Sequence, residues 1–441
     1  MRSTGISHFF AKEVIMIQRI LILKRKWRTA CFLLLCLALL SACTTTRSLS
    51  GRNVSTFYQP QGQSIACEAV VYHTTSDRSR IYLRFGDRAL GVNESDDGPS
   101  LNYSIRYRLF SNYSSETPLD SGNLIRNKAF VPGTMVDSFE LATQNGLNTV
   151  VELLVRDFNA NVSQRLYVDV IRSQALVEQD MKVFDPRGAR IFSPYLPALD
   201  SYDIYLSKPV DELNVRYYRR DFPISSPPFS TISPKAFNFT PDEVARMKRI
   251  SEFHFRLYVG RPGFYQVTDN MERKYGATYY FFDAYYPDPK TVLSLVQPLR
   301  YISTNEEFDQ LTSSLEMKKE VDAYWLRIGD NPDRARELIR AYYSRVRWAN
   351  AHFSSYLEGW KSDRGMCYIV FGPPDAVYRS TSTETWRYGE AGNFNALTLT
   401  FTKVVNPFTF NDFRLNRSVS LRNPWYRAVE FWRQGRVITY R

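Results

Sequence analysis

The chain has 441 residues, a formal net charge of +12, 15% aromatic and 23% charged residues. Such a length carries about two to four domains. Residues 1–42 hold half of the charge excess, and the remaining imbalance of about +6 is too mild for a nucleic-acid footprint, so nucleic acid is excluded as a partner. Beyond that segment only His73, His254 and His352 remain. No two of them are near in sequence, so zinc-type ligand spacing is absent and neither a metal nor another cofactor is expected.

Lys24, Arg25, Lys26 and Arg28 precede an apolar run from Ala30 to Leu40, followed at once by Ser41, Ala42 and Cys43. A basic head, a short apolar run and a small-residue end are the order of a secretory signal peptide. The run falls short of the roughly 20 residues that a membrane-spanning helix needs. Leu40-Ser41-Ala42-Cys43 resembles a bacterial lipobox, which implies cleavage before Cys43 and acylation of its thiol; an ordinary cleaved signal is the alternative. One acyl chain anchors only marginally, at about 0.8 kcal/mol per buried CH₂, whereas several hold stably. Residues before Met16 add nothing that a signal needs, so Met16 is the expected start. Residues 43–63 read as a polar tether with little to bury. With Cys31 and Cys36 in the signal, Cys67 and Cys367 are left as two buried free thiols, since a disulfide needs Cα atoms within about 7 Å.

The fold class expected is mainly β with a helical segment. Over residues 64–175, Ile81, Leu83 and Phe85, then Tyr103, Ile105 and Tyr107, then Val151, Leu153 and Val155 recur at period two, with Asn145-Gly146 as a turn signal. Several short strands in that pattern predict an immunoglobulin-like sandwich. A second β-rich module is expected over 185–298, interrupted by a Pro/Ser-rich stretch from Pro223 to Pro234. Within it, Thr240-Pro241-Asp242-Glu243 has capping-box spacing and predicts a short helix. A helical segment follows over 299–357. Thr304 with Glu307 forms a capping box, Asn331-Pro332 starts another helix, and Leu338, Tyr342, Val346, Ala349 and Phe353 line one of its faces. Arg336, Arg340 and Arg347 line the other, as solvated faces usually do. The last part, 358–441, is expected to return to β, with Met366, Tyr368 and Val370 alternating along a strand and an aromatic tail through Trp425, Tyr426, Phe431 and Trp432.

Gly359, Trp360, Ser362, Asp363, Arg364 and Gly365, followed by Gly372, Pro373, Pro374 and Asp375, resemble the signature of the GWxTD-domain family of bacterial, Bacteroidota-type envelope lipoproteins. The family's threonine is Ser362 here, which keeps the hydroxyl. Leu299 to Ile302, Arg347 to Phe353 and Glu384 to Tyr388 fit the same pattern, so the resemblance runs from about Leu299 to the C-terminus. It implies an envelope protein and no established reaction. In such lipoproteins an acidic cluster after the lipid cysteine resembles a surface-export signal; none follows Cys43, which points to the periplasmic face of the outer membrane.

The motif residues read chiefly as turn formers, with Asp363 accepting from backbone N–H groups, Gly365 freeing the backbone and Trp360 as an apolar anchor. The catalytic alternative makes Asp363 and Asp375 an acid/base pair with His352 as a possible base, but an intervening strand would hold the carboxylates about 30 Å apart at ~3.3 Å per residue. No nucleophile elbow, P-loop or dinucleotide fingerprint occurs. The expectation is therefore an envelope protein that binds or scaffolds, held to the membrane by lipid on Cys43 and partnered by an outer-membrane or periplasmic protein. The alternatives are a glycan-binding protein or hydrolase that stacks sugar on Trp425 and Trp432, and a component associated with gliding or type IX secretion.

Overall fold

Period-two patterning in the first module becomes β1 (Cys67–His73), β2 (Arg78–Phe85), β3 (Ser100–Phe110), β4 (Asp120–Ala129), β5 (Met135–Ala142), β6 (Thr149–Asp157) and β7 (Val162–Val170). In this computed structural model they form two antiparallel sheets, ordered β1-β2-β5 and β4-β3-β6-β7. Ile81, Leu83 and Phe85 of one sheet meet Tyr103, Ile105, Val151 and Leu153 of the other in a single core. Alternate residues thus face inward from both layers, which is the packing of an immunoglobulin-like sandwich. The described residues are 48–437, except 60–64, 97, 220–221, 233–237, 391 and 394–395. The signal segment, Met16 and Cys43 lie outside them.

The second module is also a two-sheet sandwich. Its strands are β8 (Met181–Phe184), β9 (Arg190–Ile191), β10 (Ser201–Leu206), β11 (Asn214–Tyr218), β12 (Glu243–Arg246), β13 (Lys248–Arg249), β14 (His254–Tyr258), β15 (Gly263–Thr268) and β16 (Ala277–Phe281). The sheets run β13-β14-β10-β8-β9 and β12-β11-β15-β16, and close on Tyr202, Ile204 and Phe255 from one side and Val215, Val267 and Tyr279 from the other. The helix expected after Thr240 does not form. Glu243 pairs with Tyr217 at the edge of the sheet, and every residue of β12 is exposed. An apolar stripe at helical spacing is missing there, so the strand pairing outweighs the local capping signal.

Helices α1 (Val292–Val296), α2 (Asn305–Ser313), α3 (Met317–Gly329), α4 (Pro332–Phe353), α5 (Asp363–Phe371) and α6 (Arg422–Arg433) surround a sheet of β17 (Ala376–Arg379), β18 (Thr383–Tyr388), β19 (Leu397–Lys403) and β20 (Phe413–Leu415). Thr304 and Glu307 make the capping box, and Asn331 caps α4. Leu338, Tyr342 and Phe353 share one core with Ile369, Trp386, Phe401 and Trp432. The helical segment and the C-terminal β-rich part are therefore one domain, and the boundary drawn at 357/358 runs through its core.

Three other expectations are corrected. Residues 363–371 form a helix, not a strand: Ser362 accepts from the Gly365 N–H as N-cap, and Gly372, at φ 88°, ends the helix. A six-residue apolar run fits either period, and here the cap decides. The aromatic tail is helical, with Trp425 and Trp432 buried. The supposed tether is docked from Ser48 to Tyr58. Leu49 packs against Phe110 and Tyr113, Val54 and Tyr58 enter the C-terminal core, and the Val54 N–H donates to the Val377 carbonyl at 2.9 Å. Cys67 and Cys367 are free and buried.

Candidate functional site

The motif builds a sharp corner between α4 and α5. Gly359 lies so close to α4 that a Cβ would stand 1.9 Å from the Ala349 carbonyl oxygen, and one on Gly365 would stand 1.9 Å from that of Gly359. Trp360 is 3% exposed; its N–H donates to Asn350 Oδ1 at 3.1 Å, and its carbonyl accepts from the Tyr301 hydroxyl at 2.9 Å. The Pro/Ser-rich stretch reaches this corner, where the Ser225 hydroxyl donates to the Lys361 carbonyl at 2.8 Å. At the far end of α5, Arg345 donates to the carbonyls of Ile369 at 3.0 Å and Val370 at 3.3 Å, complementing the negative helix end. Burial lowers its pKa to about 10.

The candidate catalytic residues are not assembled into a site. Asp363 accepts from the Leu415 N–H at 2.8 Å and from both terminal nitrogens of Arg417, at 2.9 and 2.6 Å. Asp375 sits beyond the opposite end of α5 and accepts from the Gly389 N–H at 2.7 Å. At 1.5 Å per residue the helix alone separates them by about 12 Å; its compactness replaces the 30 Å expected of a strand, yet each carboxylate serves a different turn. His352 stands at the surface with its ring stacked on Trp348 at 3.9 Å. Packing on that side, then the charges of Arg364 and Arg347, lower its pKa and keep it neutral. Pro373 and Pro374 lead from the end of α5 into β17.

Two polar clusters escaped the sequence reading. Glu384 is fully buried on β18 and accepts from Trp386 Nε1 at 2.7 Å and the Tyr58 hydroxyl at 2.8 Å, with Arg379 Nε at 3.0 Å and Arg364 Nη1 at 3.4 Å. Burial works to raise its pKa, but Arg364 and Arg379, helped by those two hydrogen bonds, outweigh it and hold the carboxyl below its ordinary value. In the first sandwich His73 Nε2 faces the Ile171 carbonyl at 2.9 Å, so this nitrogen carries the proton and Nδ1 accepts from the Ser79 hydroxyl at 2.9 Å. The pair resembles half of a hydrolytic triad, but His73 is 2% and Ser79 0% exposed, and Arg172 clasps Ser79 at 3.0 Å. No substrate reaches it.

A site with room for a ligand lies where the modules meet. A cavity of about 400 Å³ is lined by Val71 of the first sandwich, Glu178, Arg190 and Thr278 of the second module, and Ser355 and Phe413 of the C-terminal domain. Glu178 is half-buried, and its Oε1 accepts from the Thr278 N–H at 3.0 Å. Burial, partly offset by that hydrogen bond, raises its pKa from 4.5 to about 7. The folded state therefore holds this proton longer than the unfolded chain does; stability is full below about 4.5 and falls as the pH rises through 7. In Glu178→Gln the fall over that interval is expected to flatten, read as melting temperature against pH; an unchanged slope would assign it to other groups. Among the described residues no three His, Cys, Asp or Glu side chains gather as a metal would require, and no helix is long and apolar enough to cross a membrane.

Comparison with protein families matches residues 263–434 to the GWxTD domain, which therefore begins inside the second module at β15. No curated protein matches the chain.

Proposed function

We propose that this chain, built around a GWxTD domain, is a lipid-anchored cell-envelope protein that acts by binding, as an accessory or scaffold of an outer-membrane protein machine. The observation that carries the binding role is the use made of the motif. Gly359, Trp360, Ser362, Asp363, Arg364 and Gly365 are all engaged in holding the corner, the α5 cap and the sheet, which leaves no reacting group presented to a substrate. Two sandwiches beside it offer faces of a kind often used for protein contacts, an argument from analogy of architecture. The periplasmic face of the outer membrane and a Bacteroidota-type origin rest on the sequence signals around Cys43 and the family resemblance.

The glycan-stacking alternative loses its platform, because Trp425 and Trp432 are 5% and 0% exposed and Trp432 Nε1 donates to the Val370 carbonyl at 3.0 Å. Metabolic labelling with an alkyne fatty acid tests the anchor: the wild-type chain is expected to take up label and fractionate with the outer membrane, and Cys43→Ser to lose the label. Label retained by Cys43→Ser would refute acylation at that thiol. Affinity capture from solubilised membranes then tests the binding role, a near-stoichiometric outer-membrane protein being the expected companion and a solitary chain the contrary result.

A further inference from the structure

We propose that the cavity between the modules binds a small amphiphile with a carboxylate head, received by Arg190 and Thr278, while the apolar walls of the junction take its chain. A volume of about 400 Å³ falls within the ~300–1,000 Å³ of small-molecule sites, which favour the seams between domains. The second observation is independent of shape. Among the described residues, Arg190 Nε and Thr278 Oγ1 are buried atoms of the cavity lining with no hydrogen-bond partner, and Thr278 is only 3% exposed. Buried polar atoms are rarely left unpaired, since each costs about 1–3 kcal/mol.

The guanidinium of Arg190 is held by its faces. It lies 3.8 Å from the ring centroid of Tyr82 and 4.8 Å from that of Phe192, and it also hydrogen-bonds Tyr82, an arrangement that fixes the group and still leaves Nε without a partner. Among the described residues Arg190 forms no ion pair, so this wall has positive charge without a counterion. The other charged groups of the lining are occupied. Asp169 accepts from the Tyr113 hydroxyl at 2.8 Å, and Arg379 holds Glu384 at 3.0 Å. Glu178 decides the class of head. A dianionic phosphate would face its carboxylate, whereas a monoanionic carboxylate can share the proton that Glu178 retains near neutrality. Val71, Val177, Val183, Phe192 and Phe410 supply the apolar surface for the chain.

The proposal stands whether or not the protein is lipid-anchored. Its test is calorimetric titration of the full chain with octanoate, with 1-octanol as the uncharged match and octyl phosphate as the dianionic one. Octanoate is expected to bind saturably and about tenfold or more tighter than either, a difference that one charge-assisted hydrogen bond supplies. Arg190→Gln should lose about tenfold for octanoate and leave 1-octanol unchanged. Thr278→Val removes a hydroxyl that the protein itself does not use, so it should melt at a higher temperature without ligand and yet bind octanoate several-fold more weakly. No saturable octanoate binding, equal binding of 1-octanol, tighter binding of octyl phosphate, or unchanged octanoate affinity in both folded variants would each overturn it.

Discussion

Gly359→Ala is expected to lose about 3 kcal/mol or more of stability, a large share of the ~5–15 kcal/mol that holds a domain together. The added carbon would stand 1.9 Å from the Ala349 carbonyl oxygen and 2.8 Å from the Asn350 Cα, all backbone of α4, so no side chain can swing aside. Relief requires α4 and the turn to separate, and that breaks the Trp360 N–H bond to Asn350 at 3.1 Å and the Gly359 N–H bond to Ser354 at 3.0 Å. Gly51→Ala is the control. Its nearest neighbour would be the Ser48 hydroxyl at 3.9 Å, and its stability is expected to move by no more than about 0.5 kcal/mol. Urea unfolding followed by circular dichroism reads both; equal midpoints for the two variants would show that the corner yields, and that the motif's glycines serve something other than close packing.

Glu384→Ala is expected to cost about 3–5 kcal/mol, because it strands two guanidinium groups and two buried donors at once. Arg364, 2% exposed, also contacts Asn411 at 2.5 Å and lies 4.3 Å from the ring of Phe413, so it stays inside when its counterion is lost. The sign of the pH dependence follows from the direction of the shift. The Glu384 carboxyl is held below its unfolded value, so its contribution is present above that value, near 4.5, and is lost as the pH falls through the lower folded one. Wild-type protein should therefore lose stability in acid below about pH 4.5, and Glu384→Gln should show a shallower loss over the same interval. An unaltered acid limb in Glu384→Gln would place the titration elsewhere.

Much of the fold was legible because burial follows parity. Alternation in β2, β3 and β6 marked both layers of the first sandwich, and the caps at Thr304 and Asn331 marked two helix starts. The apolar run after Gly365 was not legible as a helix, since buried residues on all sides erase the difference between the two periods. Glu384 shows a signal that was there to be read: it shares parity with Trp386 and Tyr388, and all three face inward from β18. A carboxylate in register with two core aromatics asks for buried cations, and Arg364 lies in the motif itself. The cavity left no local trace. Val71, Glu178, Arg190, Thr278 and Phe413 come from distant parts of the chain, and only tertiary packing brings them to one wall.

The docking of residues 48–58 has a mechanical meaning. Tyr58 accepts from the Tyr368 hydroxyl across 310 positions and donates to Glu384 across 326, while Arg52 meets Glu152 at 2.6 Å and Ser50 meets Tyr113 at 2.7 Å. Val54 and Tyr58, the later part of this segment, find their partners only when β17 and β18 have been made, so this seam closes one of the longest loops in the chain. Once it is closed, residues 48–58 tie the first sandwich directly to the C-terminal sheet, so tension entering at Ser48 has a path between them that does not run through the second module.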